Sequence, residues 1–108
     1  MLPKKIRLNK DIIEKIFKSS RFVNSPSLTF KYILSKDNLS PKISFISPKT
    51  VNKKAVVRNR LRRKGYIALK EHLESFPLGL VGVFVFKKQQ DDILAIENEI
   101  KTILTKIN

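Results

Sequence analysis

The chain has no cysteine and no tryptophan, one histidine, three glycines and nine acidic residues among its 108. Without cysteine there are no disulfides, zinc ribbons or thiol nucleophiles, a composition that suits a reducing, cytoplasmic setting. The glycines, Gly65, Gly79 and Gly82, are not spaced as a phosphate-binding loop. His72 stands near the end of a basic segment with no nucleophile or second base beside it, and it reads as a helix-end or solvated residue. Asp91 and Asp92 open a helical stretch, which makes them capping and dipole residues rather than a metal pair. No catalytic residue and no metal ligand is therefore assigned. Long apolar runs are missing too. Phe76 to Phe86 is about half a membrane span and is broken by Pro77, Gly79 and Gly82. The start, MLPKKIRLNK, runs into an amphipathic stretch rather than the apolar core of a secretory signal. A soluble, cytoplasmic protein with no membrane partner is expected.

What the chain has in excess is positive charge. Its 23 Lys and Arg against 9 Asp and Glu give a formal +14 and a pI near 10.3. The charges are segregated: no acid lies between Asp37 and Glu71, and Lys49 to Lys70 carries nine cations. An ordinary surface helix mixes signs so that neighbours pair at i,i+4, whereas a helix of one sign repels itself and calls for an external polyanion. Arginines in the cluster favour bidentate contact with phosphate, so nucleic acid is the expected partner and counterion release the dominant binding term.

At this length one modest core forms, and residues 1–108 are read as a single domain. Ile12, Ile13, Ile16 and Phe17 recur at helical spacing behind Asn9, predicting a first helix over about 9–18. Leu28 to Leu34 alternates and predicts a strand, with a further short strand near 21–24. Lys36 to Pro41 looks like a hairpin connection to a second strand over 42–47, and an antiparallel pair is the simple inference. A basic helix is predicted over about 53–75, with Val57, Leu61 and Ala68 inward, Asn59, Arg62, Arg63 and Tyr66 outward, and Arg58 and Arg60 flanking. Val81 to Phe86 reads as a buried strand, and 91–106 as a last helix. The order α-β-β-(β)-α-β-α, with a βαβ crossover through the basic helix, predicts an α+β sandwich of one sheet and covering helices.

The run Lys53-Lys54-Ala55-Val56-Val57-Arg58-Asn59-Arg60-Leu61-Arg62-Arg63, behind a strand ending Ser47-Pro48-Lys49, resembles the RNR signature of the bacterial ribonuclease P protein component. Arg7-Leu8, Ile13 and Phe17 also look like that family's N-terminal pattern, and the likeness runs over nearly the whole chain. The resemblance implies a fold like ribosomal protein S5 domain 2. It also implies a ribonucleoprotein endonuclease in which a catalytic RNA, with magnesium bound mainly by RNA, removes the 5′ leader from precursor tRNA. The protein is then an RNA-binding cofactor of that hydrolase. Carried over to this chain, the catalytic RNA would meet Lys49, Lys53, Lys54, Arg58, Asn59, Arg60, Arg62 and Arg63, and the leader a cleft that includes Ile13, Phe17 and Lys31.

The chain departs from the family pattern in places. Gly65 sits inside the basic helix at a cost of about 1 kcal/mol relative to Ala, and Tyr66 stands where a further arginine is usual. Lys31 and Ile13 occupy positions that are commonly aromatic, so the leader contact is expected to rest on charge more than on stacking. A small basic ribosomal or RNA-chaperone protein is the alternative with the same charge and build. A DNA-binding domain fits less well, because no helix-turn-helix pattern precedes the basic helix.

Overall fold

The structure, a computed structural model, describes residue 18, residues 21–34 and residues 40–107. The helix expected over 9–18, with Ile13 and Phe17, lies outside the described residues except for Lys18. The described elements are strands β1 (Phe22–Asn24), β2 (Leu28–Leu34) and β3 (Lys42–Ile46), helix α1 (Ala55–Leu69), strand β4 (Leu80–Phe86) and helix α2 (Ile93–Ile107). The basic helix is shorter than its apolar and basic pattern implied, and a single 3-10 turn at Leu73–Ser75 follows it.

The four strands form one mixed sheet in the order β1-β2-β4-β3. β2 and β3 are therefore not the antiparallel pair that their proximity in the chain suggested. β4 lies between them, antiparallel to β2 (Phe30↔Phe84) and parallel to β3 (Phe45↔Phe84). The reason lies in its composition. Leu80-Val-Gly-Val-Phe-Val-Phe86 is apolar on both faces and suits the centre, whereas β3 carries Lys42 and Ser44 on one face and tolerates an edge. The passage β3-α1-β4 is the βαβ crossover expected through the basic helix.

One face of the sheet carries the core. Leu28, Phe30, Ile43, Phe45, Leu80, Phe84 and Phe86 point to the helices and meet Leu61 and Leu69 of α1 and Ile96, Ile100 and Ile103 of α2. The rings of Phe30, Phe84 and Phe45 run across β2, β4 and β3, with centroids 4.3 and 4.9 Å apart. Between β1 and β2 the turn is pinned from far along the chain. Glu99 of α2 accepts from the Ser25 hydroxyl (2.6 Å), from the Ser27 N–H (2.8 Å) and from the Ser27 hydroxyl.

Gly65 and Tyr66 acquire a structural cause. A Cβ on Gly65 would lie 2.6 Å from the Phe45 ring, so the glycine lets α1 settle directly onto the edge strand. Tyr66, predicted to face outward, is instead buried: its ring packs on Phe45, and its hydroxyl accepts the Phe45 N–H (3.2 Å) and pairs with the Ser44 hydroxyl (3.1 Å). The long side chain reaches round the helix flank to satisfy an edge-strand donor that no other described strand covers.

Gly65→Ala is accordingly expected to destabilise the protein by about 1 to 3 kcal/mol, the overpacking cost exceeding the gain in helix propensity. Tyr66→Phe is expected to cost about 1 to 2 kcal/mol through the unpaired Phe45 N–H. Urea unfolding followed by circular dichroism measures both, and a more stable Gly65→Ala protein contradicts the packing account.

Candidate nucleic-acid interface

Helix α1 buries Leu61, Gly65, Ala68 and Leu69 at helical spacing, which leaves its opposite side to the cations. Its start is built by the preceding loop. Pro48 and Val51 close a turn (3.0 Å), and the Asn52 side-chain oxygen accepts the Lys54 N–H (2.9 Å). No acid and no side-chain cap occupies the first turn, so the positive end of the helix dipole adds to Lys53 and Lys54 rather than being offset.

The predicted interface residues share this end of the molecule but not one role. Lys49, Lys53, Lys54, Asn59, Arg60, Arg62 and Arg63 are exposed. Arg58 is half-buried, and its Nη1 donates to the backbone carbonyls of Asn52 (3.1 Å) and Lys53 (2.7 Å), clamping the loop to the helix. Arg62 is held by the Asn59 side-chain oxygen one turn earlier, which fixes the guanidinium outward.

The cationic face is not without an acid, contrary to what its own segment suggested. Asp91, from the loop before α2, lies 3.6 Å from both Arg60 and Lys64, and the Lys64 Nζ also donates to its backbone oxygen (2.8 Å). Gln89 donates to the Asp91 carboxylate (2.7 Å) and accepts from Asn52 (3.1 Å), so the two loops and α1 are joined by one polar chain. The side-chain hydrogen bond from Gln89, with the charges of Lys64 and Arg60, holds the Asp91 carboxyl below its ordinary value. Its stabilising contacts are therefore present at neutral pH and lost only as the pH falls through that lowered value. Of the two adjacent acids, Asp92 alone opens the helix, accepting the Leu94 N–H (3.0 Å). The same loop carries Lys87 and Lys88, both exposed, which join the basic end although they sit far from the arginine cluster in the chain and carry no sequence signal of it.

The second face of the sheet lies away from the core. Lys31 of β2 stands there, flanked in register by Val83 on β4 and Phe22 on β1. Ile13 and Phe17, expected beside it, lie outside the described residues. His72, read as lacking a partner, meets Glu97 of α2 at 2.8 Å and ties the helices together. Among the described residues no three acids or histidines come together to hold a metal ion, and no helix is long and apolar enough to cross a membrane.

A family model described as Ribonuclease P matches residues 2–108. Among solved structures, the chain is similar to the RNase P protein of Thermotoga maritima, with 18% identity, TM-score 0.78, and 94% of this chain and 97% of that one covered. It is also similar to that of Staphylococcus aureus in two structures. One has 16% identity, TM-score 0.77 and 95% of each chain covered. The other has 21% identity, TM-score 0.74, and 98% of this chain and 92% of that one covered. No curated protein matches the chain in sequence.

Since Asp91 occupies two cations of the basic face, Asp91→Asn is expected to tighten binding of a structured RNA. The gain should be about two- to fivefold, the scale of an exposed ion pair, with a steeper salt dependence. A salt titration of binding checks this. Weaker binding by a folded Asp91→Asn protein would show that the carboxylate orders the face rather than competing with phosphate.

Proposed function

We propose that the chain, which belongs to the ribonuclease P family, holds its catalytic RNA on the outward side of α1 and the 5′ leader of precursor tRNA on the second face of the sheet. The protein is the RNA-binding subunit in tRNA 5′ processing, and the holoenzyme is ribonuclease P. That membership sets aside the ribosomal or chaperone alternative.

The observation that carries the proposal is the concentration of exposed cations on α1 and its preceding loop, with one acid among the described residues paired against them. Arg60, Arg62 and Arg63 present planar forks suited to phosphate oxygens, and Lys49, Lys53 and Lys54 add point charges where the helix dipole is positive. Arg58 shapes the loop that displays those lysines. The backbone contacts position the RNA and carry no sequence code, which suits a partner recognised by its shape. The protein's part is to bind, orient and neutralise.

The described residues do not fit the seat of a catalytic magnesium ion. Asp91 is taken up by Gln89, Arg60 and Lys64, Glu99 by two serines, and Glu97 by His72. No step is assigned to a metal on the described residues, and the magnesium of the reaction is read as bound mainly by the RNA.

Arg60→Ala with Arg63→Ala is expected to weaken association with ribonuclease P RNA and to lower the slope of log K against log salt by about two, with the fold intact. An unchanged slope with native circular dichroism contradicts this placement. Lys31→Ala is expected to weaken binding of leader-bearing precursor tRNA while sparing mature tRNA, and equal losses for the two RNAs count against the leader site.

A further inference from the structure

Six phenylalanines lie among the described residues, and five of them, Phe30, Phe45, Phe76, Phe84 and Phe86, are no more than 3% exposed. The sixth, Phe22, is 57% exposed. It sits on β1, an edge strand of the sheet, and its register partner is Lys31. Directly paired residues on adjacent strands project to the same face with Cβ atoms about 4.5 to 5.5 Å apart. The aromatic ring and the lysine therefore stand side by side on the face away from the core. The next pair on that face is Asn24 and Thr29, exposed and half-buried, whose side chains hydrogen-bond at 2.7 Å.

An exposed aromatic on an edge strand forgoes the burial that the other five phenylalanines have and invites unwanted pairing. Here it completes a combination that single-stranded RNA recognises: a flat π-face, a cation for the phosphate beside it, and an amide-hydroxyl pair for a base edge. Across the ladder from Lys31, β1 supplies a ring on the same face.

We infer that Phe22 stacks on a base of the precursor-tRNA leader, with the phosphate of that nucleotide directed to Lys31. This rests on the leader reading above. Electrostatics then hold the leader's backbone while the ring selects for an unpaired base, since a stacked duplex offers none.

The test uses the holoenzyme assembled with a bacterial ribonuclease P RNA, with precursor tRNA carrying a leader of several nucleotides and mature tRNA as ligands. Phe22→Ala is expected to weaken precursor binding roughly five- to thirtyfold, equivalent to about 1 to 2 kcal/mol of stacking, and to leave mature tRNA unchanged. Phe22→Tyr retains the ring and is expected to bind like the unaltered protein. The chain has no tryptophan, so Phe22→Trp introduces a single indole whose emission is expected to be quenched by the precursor and not by mature tRNA. Should the unaltered protein prefer the leader-bearing RNA and Phe22→Ala keep that preference, the stacking role is overturned and the leader site stands. Equal losses for both RNAs also overturn it. If the unaltered protein shows no leader preference, the leader site itself falls, and Phe22's role with it.

Discussion

The seat of α1 on β3 is the contact on which the rest depends. Gly65 removes the Cβ that would strike Phe45, the Phe45 ring fills the space, and the Tyr66 hydroxyl takes the backbone donor that β3 leaves at the sheet edge. Apolar packing brings helix and sheet together, while the hydroxyl sets their register, because a tyrosine oxygen can serve that N–H only at one rotation of the helix. The direction in which Arg60, Arg62 and Arg63 point is thus fixed from below. A polar residue on the charged flank and a glycine in mid-helix look like flaws in isolation, and together they orient the basic face.

Above that seat, charge is regulated rather than merely accumulated. A cluster of like charges raises the free energy of the folded state, and Asp91 relieves part of it at Arg60 and Lys64. Gln89 holds the carboxylate and reaches Asn52, so this relief is structurally linked to the loop carrying Lys53 and Lys54. Arg58 serves the same loop through its carbonyls. Arg58 thus presets the loop without occupying its lysines, whereas Asp91 holds Arg60 and Lys64 by ion pairs that an incoming anion has to displace.

Much of this was legible in the sequence because it is local and periodic. The apolar spacing of Val57, Leu61 and Ala68 implies a helix with its cations outward, and the alternation from Leu28 to Leu34 implies a half-buried strand. The crossover followed from the strand-helix-strand order through the basic helix. What stayed hidden depends on contacts between distant segments. Strand neighbours were assigned by proximity in the chain, yet the doubly apolar β4 takes the centre. Tyr66 was placed by the angle of its Cα, which ignores how far a phenol reaches. Asp91, Glu97 and Glu99 find Arg60, His72 and the serine turn only once α2 is docked. The aromatic beside Lys31 came from a strand of three residues, too short to show which way Phe22 faces.

The central position of β4 has a consequence for biosynthesis. β2 and β3 are made first, but each pairs with a strand that ends at Phe86, so a nascent chain shorter than this has at most the short β1-β2 ladder of the sheet. The arginine segment emerges before the surface that orients it exists, and the pin from Glu99 to Ser25 and Ser27 closes later still, across more than seventy residues. Long-range closure of this kind slows folding. During translation the segment is therefore a flexible polycation, and it becomes a shaped basic surface only when the last third of the chain is available to fold against it.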